Sequence, residues 1–218
     1  EIKMWNDSRL VELNPGVNLP AEEIIPVFRS EGSGTTFVFT DYLSKVSGMW
    51  ASKFGTGKSV NFPAGQAAKG NPGVAGVISQ TRNSIGYLGS EYAFAQKIPY
   101  AKLRNANGEM VEPTAASISA AASGEIPADT RTSIVNSTAP GAYPIATFTW
   151  MIIYKEQNYS NRSREQAVAT LDMLGYILSD DAQSITSQVH YAPLPHKAKE
   201  LSLNNLKSVT YNGEAILQ

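Results

Sequence analysis

Residues 29–36 read Arg-Ser-Glu-Gly-Ser-Gly-Thr-Thr, eight positions without an aliphatic side chain between the apolar runs Ile24–Phe28 and Phe37–Phe39. This switch constrains the fold more than any other feature of the chain. The run before it is short and β-branched, which predicts a strand despite Pro26. Behind it, Phe37, Val38, Tyr42, Leu43 and Val46 recur at near-helical spacing, which predicts a helix from about Gly34 to Val46. Strand, polar loop, helix is the repeating unit of an α/β protein.

The unit recurs downstream. Gly73–Ile78 reads as a short helix, Ser84–Leu88 as a strand and residues 89–96 as helix again. Asn107-Gly108, between Ala101–Arg104 and Glu109–Val111, predicts a hairpin whose two central residues tolerate positive φ. Pro113 suits the first turn of a helix through the alanine-rich Thr114–Ser123. Residues 124–144, rich in Pro, Gly, Ser and Thr, read as irregular connection. Ala146–Tyr154 is the most hydrophobic strand candidate, and its Phe148–Tyr154 stretch has the length of a buried strand. Ser163–Gln166 matches a capping box, followed by a helix with Ala167, Leu171, Leu174 and Leu178 on one face. Tyr191-Ala192-Pro193-Leu194-Pro195 predicts a stiff extended segment before a polar amphipathic stretch.

Composition closes off several classes. A net charge of -1 gives no electrostatic reason to expect nucleic acid or an anionic membrane surface. The chain has no cysteine, which excludes disulfides, thiolate nucleophiles and Cys-ligated zinc. No stretch approaches the roughly 18 consecutive apolar residues of a membrane span. The sequence opens at Glu1 without methionine or a basic-then-apolar leader, so a processed end or a cut is expected there.

The loop at 29–36 is the richest in chemistry. Gly32 and Gly34 let a backbone approach a ligand closely. A helix beginning at the loop's end offers unpaired N–H donors and a partial positive charge, an anion site in outline. Ser33, Thr35 and Thr36 add hydroxyls, and Arg29 adds a planar guanidinium matched to oxyanion geometry. Ser and Thr before a helix also serve as simple caps, and spacing alone leaves both readings open. Arg29 on the strand side tilts the choice towards an oxyanion site.

Other candidates carry less. Gly57-Lys58-Ser59 imitates the end of a Walker loop, but position 52 is serine where that motif needs glycine. Gly70–Gly76 lacks dinucleotide-binding spacing. His190 and His196, the only histidines, have neither a carboxylate-rich metal pattern nor a triad around them; His190 reads as packed or half-exposed, His196 as a surface residue. Asp180-Asp181 reads as solvated charge at a helix end. No catalytic residue, metal ligand or cofactor is expected.

Four blocks of the chain resemble one family. Ile24–Ser47, with its R-x-[DE]-G-S-G-T core, is similar to the phosphate-binding proteins of bacterial phosphate ABC transporters, the PstS-like periplasmic substrate-binding subunits. So are Ala67–Leu88 with its K-G-N-x-G-V and S-I-G-Y elements, Tyr143–Lys155 and Tyr191–Pro195, and Met4–Pro20 matches the stretch before the loop. The resemblance runs in order along essentially the whole chain.

It implies an α/β, periplasmic-binding-protein type II-like fold in which two lobes clamp one phosphate. Arg29, Ser33, Gly34 and Thr35 would occupy phosphate-contacting positions. Glu31, where many members carry aspartate, would orient the arginine. The family's first lobe starts with a long segment not seen here, which in the family supplies further donors and a carboxylate that accepts the proton of hydrogen phosphate. Residues 1–145 would then be one complete lobe, the second, and 146–218 the C-terminal part of the first. A partial copy is the favoured account; circular permutation or a completing second polypeptide is less favoured. Such a chain would bind phosphate weakly by itself. Its strand Phe148–Tyr154 and helix 163–179 would lack sheet neighbours, leaving Leu171, Leu174 and Leu178 partly exposed.

The resemblance further implies a monomeric, non-enzymatic, periplasmic or extracytoplasmic protein, free or lipid-anchored, that delivers inorganic phosphate to ABC permease subunits. A phosphate-handling enzyme such as a phosphatase, and a surface or scaffold protein that has lost transport, are the alternatives.

Overall fold

The computed structural model describes residues 2–217. The chain divides into two compact units, one ending at Tyr100 and the other beginning at Ala101.

The first unit opens with α1 (Ser8–Leu13), whose N-terminus Asp7 caps by accepting the Arg9 N–H. It then runs β1 (Ile25–Arg29), α2 (Gly34–Val46), α3 (Gly48–Lys53), β2 (Gln66–Ala68), α4 (Gly70–Gln80), β3 (Ser84–Gly86) and α5 (Ser90–Gln96). The three strands form one parallel sheet in the order β2-β1-β3, with Val27 opposite both Gln66 and Gly86. Parallel neighbours need crossover connections, and α2, α3 and α4 supply them. Val27 and Val74 are buried against Ala68, so α4 seals one face of the central strand. Ala75 carries the packing on to Ala93 and Ile98 of the α5 region. Gly65 has φ +119, and a Cβ there would lie 2.4 Å from the Pro26 carbonyl oxygen; only glycine lets β2 start this close to β1.

The predicted helix Gly34–Val46 forms with those bounds. Its buried residues are Thr36 and Thr40, while Phe37 and Val46 are exposed. The threonines face in because their hydroxyls find partners. Thr40 Oγ1 donates to the Thr36 carbonyl at 2.8 Å and accepts from the Gly57 N–H at 3.1 Å, and Thr36 Oγ1 meets the Tyr87 hydroxyl at 2.7 Å. Aromatic rings fill the remaining space: Phe39 stacks on Tyr87 at 4.4 Å, and Phe28 on Phe62 at 4.8 Å.

The second unit begins with the hairpin β4 (Leu103–Arg104) and β5 (Met110–Val111). Its turn differs from the expected pair of positive-φ residues. Gly108 alone is left-handed, at φ +83, and its N–H reaches the Asn105 carbonyl. This is the longer hairpin connection ending in a left-handed glycine. In α6 (Ala115–Ala121) Pro113 stands outside the helix, because Thr114 takes the cap and forms a capping box with Ser117. Helices α7 (Arg164–Ile177) and α8 (Asp180–Ile185), a 3-10 turn (Thr186–Val189), α9 (His196–Lys207) and the hairpin β6 (Thr210–Tyr211), β7 (Glu214–Ala215) complete it. The Ser163–Gln166 capping box starts α7 as the sequence predicts.

Expectations fail at three further points of this unit. Residues 146–154 form no strand. Lys155 and Gln157 are pinned to β6, through Thr210 N to Lys155 O and Gln157 N to Thr210 O, both at 2.8 Å. The residues before them find no ladder partner among the described residues, and hydrophobicity without a neighbouring edge does not make a strand. Ile153 packs inward while Ile152 stands 93% exposed, the alternation of a strand without its sheet. The apolar face of α7, by contrast, is covered. Leu171 is fully buried and Leu174 nearly so, against Leu206, Val209 and Ile216, with Leu178 packed on the same cluster. The chain's own C-terminal residues take the place of sheet neighbours there. His190 is exposed, at φ +63, rather than packed; His196 is exposed as expected.

Candidate functional site

The polar loop leaves the C-terminal end of β1 and turns into α2, so its donors gather at the carboxyl edge of a parallel sheet, where open α/β sheets bind ligands. Ser33 is the N-cap of α2. It is buried, its Oγ accepts the Thr36 N–H at 3.2 Å, and its own N–H donates to the Lys58 carbonyl at 2.9 Å. The capping reading of Ser33 is therefore fulfilled, and its backbone donor is committed within the fold. Gly34 and Thr35 follow as the first two helical residues, whose N–H groups have no carbonyl one turn back. A Cβ on Gly34 would meet nothing within 4 Å, so the protein's own packing leaves the space over that backbone open.

Arg29 ends β1, its side chain only 13% exposed. Its guanidinium is held on two edges. Nε donates to Glu31 Oε1 at 2.9 Å, and Nη2 pairs with the same oxygen. Nη1 reaches Asn71 Oδ1 at 2.9 Å and Thr35 Oγ1 at 3.4 Å. Glu31 Oε1 also accepts the Gly70 N–H at 3.0 Å, so one carboxylate ties the arginine to the start of α4. The Arg29 hydrogen bonds, aided by the Gly70 N–H, hold the Glu31 carboxyl at a pKa of about 2, below its ordinary 4.5. The Arg29 N–H donates to the Tyr87 hydroxyl at 3.3 Å, which also engages Thr36.

Arg29, Glu31 and Thr35 are thus brought into one cluster beside Gly34, while Ser33 lies below as its cap. Two residues of the cluster, Asn71 and Tyr87, had no role assigned in the sequence reading. Their signal was present, since both lie in the K-G-N and S-I-G-Y elements, but only the parallel pairing of β2 and β3 on β1 brings those elements to Arg29. The result is a fixed cation, a hydroxyl and helix-terminal N–H donors on one edge, an arrangement that can bind an oxyanion. Among the described residues no three His, Asp or Glu side chains group as a metal site requires.

Residues 1–209 match the PBP superfamily domain. The chain belongs to the PBP superfamily. Within it, the chain is 41% identical over 198 residues to the phosphate-binding protein PstS of Xylella fastidiosa, covering 89% of this chain and 53% of that protein. It is 37% identical over 230 residues to PstS of Methanocaldococcus jannaschii, covering 96% and 58%. The chain therefore spans little more than half the length of the curated relatives it matches.

Among solved structures, a high-affinity periplasmic phosphate-binding protein, PfluDING, bound with phosphate aligns with a TM-score of 0.68 at 22% identity, over 93% of this chain and 61% of that one. The ancestral soluble variant of the human phosphate binding protein aligns with a TM-score of 0.61 at 20% identity, over 89% and 64%. At these identities the structural matches establish the PBP fold. Among the described residues no helix is long and apolar enough to cross a membrane.

Proposed function

We propose that this PBP-superfamily chain binds inorganic phosphate, as the solute-binding component of a phosphate ABC importer, on the extracytoplasmic side of the membrane. The observation that carries the proposal is the Arg29 guanidinium, pinned by Glu31 and aimed beside Thr35 and the open backbone of Gly34. Arg29, Ser33, Thr35 and the Gly34–Thr35 N–H groups are the direct phosphate contacts in this proposal. Ser33 shapes the helix start, its hydroxyl shared between cap and ligand, and Glu31 orients the arginine. The names of the PstS relatives support phosphate as the ligand.

The proposal also divides the chain into lobes: residues 1–145 as one, and 146–218 as the C-terminal part of the other. Delivery to permease subunits, without chemical change to the ligand, completes the role. Titration of the chain with inorganic phosphate by nuclear magnetic resonance tests it, with sulfate as the comparison. Saturable shifts of Arg29, Gly34 and Thr35 are expected. Unmoved resonances at those positions up to millimolar phosphate would end the proposal, and phosphate-ester hydrolysis would replace it with an enzymatic one.

A further inference from the structure

Arg29 Nη1, Thr35 Oγ1 and Asn71 Oδ1 form a triangle with sides of 2.9, 3.4 and 3.4 Å. Two of its corners, Arg29 Nη1 and Thr35 Oγ1, are donors that the phosphate proposal assigns to the ligand. The third is a neutral carbonyl oxygen accepting from both. Asn71 is the second residue of α4, and its place is fixed by Gly70, at φ +68, whose N–H is tied to Glu31. The element that anchors the arginine therefore also presents Asn71 to it.

We infer that Asn71 is an internal stand-in for the ligand: its carboxamide oxygen occupies an oxyanion-oxygen position between Arg29 and Thr35, and phosphate displaces it on binding. The inference rests on the phosphate proposal above. Asn71 gives Arg29 Nη1 and Thr35 Oγ1 an acceptor within the protein, which avoids the cost of partly buried donors left unpaired. A phosphate oxygen replaces that neutral acceptor with a charged one, and charge-assisted hydrogen bonds are roughly twice as strong as neutral ones. The exchange sets a threshold. A weak, singly charged acceptor gains little over Asn71, whereas an anion that can take Arg29, Thr35 and the helix N–H groups together gains on every bond. Asn71 thus raises selectivity at some expense in affinity, the balance of attraction and competition on which specificity rests.

The test titrates inorganic phosphate into the wild-type chain and into Asn71→Ala and Asn71→Asp. Binding is followed by calorimetry, and the Asn71 side-chain amide and Arg29 guanidinium resonances by magnetic resonance. Thermal melts verify that each variant is folded. Asn71→Ala removes the competitor and is expected to tighten phosphate binding by about 2- to 12-fold, the worth of one neutral hydrogen bond. Asn71→Asp puts a charged competitor in the same place and is expected to weaken binding roughly tenfold or more. In the wild type both resonances should move together as phosphate binds. A residue that merely organises the loop would give weaker binding in Asn71→Ala, which overturns the inference. A phosphate-dependent shift of Arg29 with an unmoved Asn71 amide overturns it as well and leaves the phosphate proposal standing. If neither resonance moves, the phosphate proposal fails, and the inference fails with it.

Discussion

Replacing Arg29 by alanine isolates the group on which oxyanion binding turns. The side chain is 13% exposed and makes four hydrogen-bonded contacts, two to Glu31 and one each to Asn71 and Thr35. Truncation removes the guanidinium charge from the cluster and leaves the Glu31 carboxylate beside the anion site. Removing one partner of a largely buried, hydrogen-bonded charge pair costs about 2–5 kcal/mol of binding, or roughly 30- to 4,000-fold in Kd. The upper part of that range applies if Glu31 stays ionised, since it then repels the ligand. The fold should survive, because Glu31 is 36% exposed and can be rehydrated, and no core cluster includes Arg29. Arg29→Lys should fall between the two: it keeps the charge but cannot satisfy Glu31 and Asn71 from one planar group. Calorimetric phosphate titrations of the three proteins, each verified by circular dichroism, give the comparison. Equal phosphate affinity in wild type and Arg29→Ala would refute the placement of the guanidinium at the site.

Three further outcomes test the fold around the site. Leu171→Ala removes a fully buried side chain from the cluster with Leu206, Val209 and Ile216 and should cost about 2–5 kcal/mol, read as a fall in denaturant midpoint; an unchanged midpoint would mean that α7 is not packed there. Gly65→Ala forces a Cβ to within 2.4 Å of the Pro26 carbonyl, so that β2 must move off β1; it should lower Tm markedly and weaken phosphate binding through the displaced start of α4. Glu156 accepts from the N–H groups of Asn158, Asn212 and Gly213 and from the Thr210 hydroxyl. These bonds, the Asn158 and Gly213 N–H groups foremost, hold its pKa at about 2 against an ordinary 4.5. A carboxyl depressed on folding stabilises above its unfolded pKa and loses that contribution as pH falls through the folded one. Glu156→Gln should therefore lower stability at pH 5–7 and narrow its difference from wild type on the way to pH 2, in acid-unfolding curves followed by circular dichroism.

Local chemistry is what the sequence made legible. The bounds of α2, the capping box of α7 and the α/β alternation across residues 24–96 were readable because each depends on neighbours within a turn or two. Arg29, Glu31 and Thr35 could be named for the same reason, since all three fall within seven residues of one loop. The parts that were not legible depend on distant partners. The inward face of α2 went to Thr36 and Thr40 because Tyr87 and Gly57 offered their hydroxyls partners, which no periodicity of Phe and Val could announce. The hydrophobic stretch 146–154 had the composition of a strand, but a strand exists only where another backbone completes its hydrogen bonds.

The sequence by itself determined a strand, a polar oxyanion-type loop and a helix in succession, with an arginine at the loop's entry. Tertiary structure decided which way that arginine faces. Asn71 and Tyr87 lie 42 and 58 residues from it in sequence, and they reach it only because β2 and β3 pair on either side of β1. Hydrogen bonds of 2.9 and 3.3 Å across such separations are set by sheet register, a property of paired strands that neither strand carries alone.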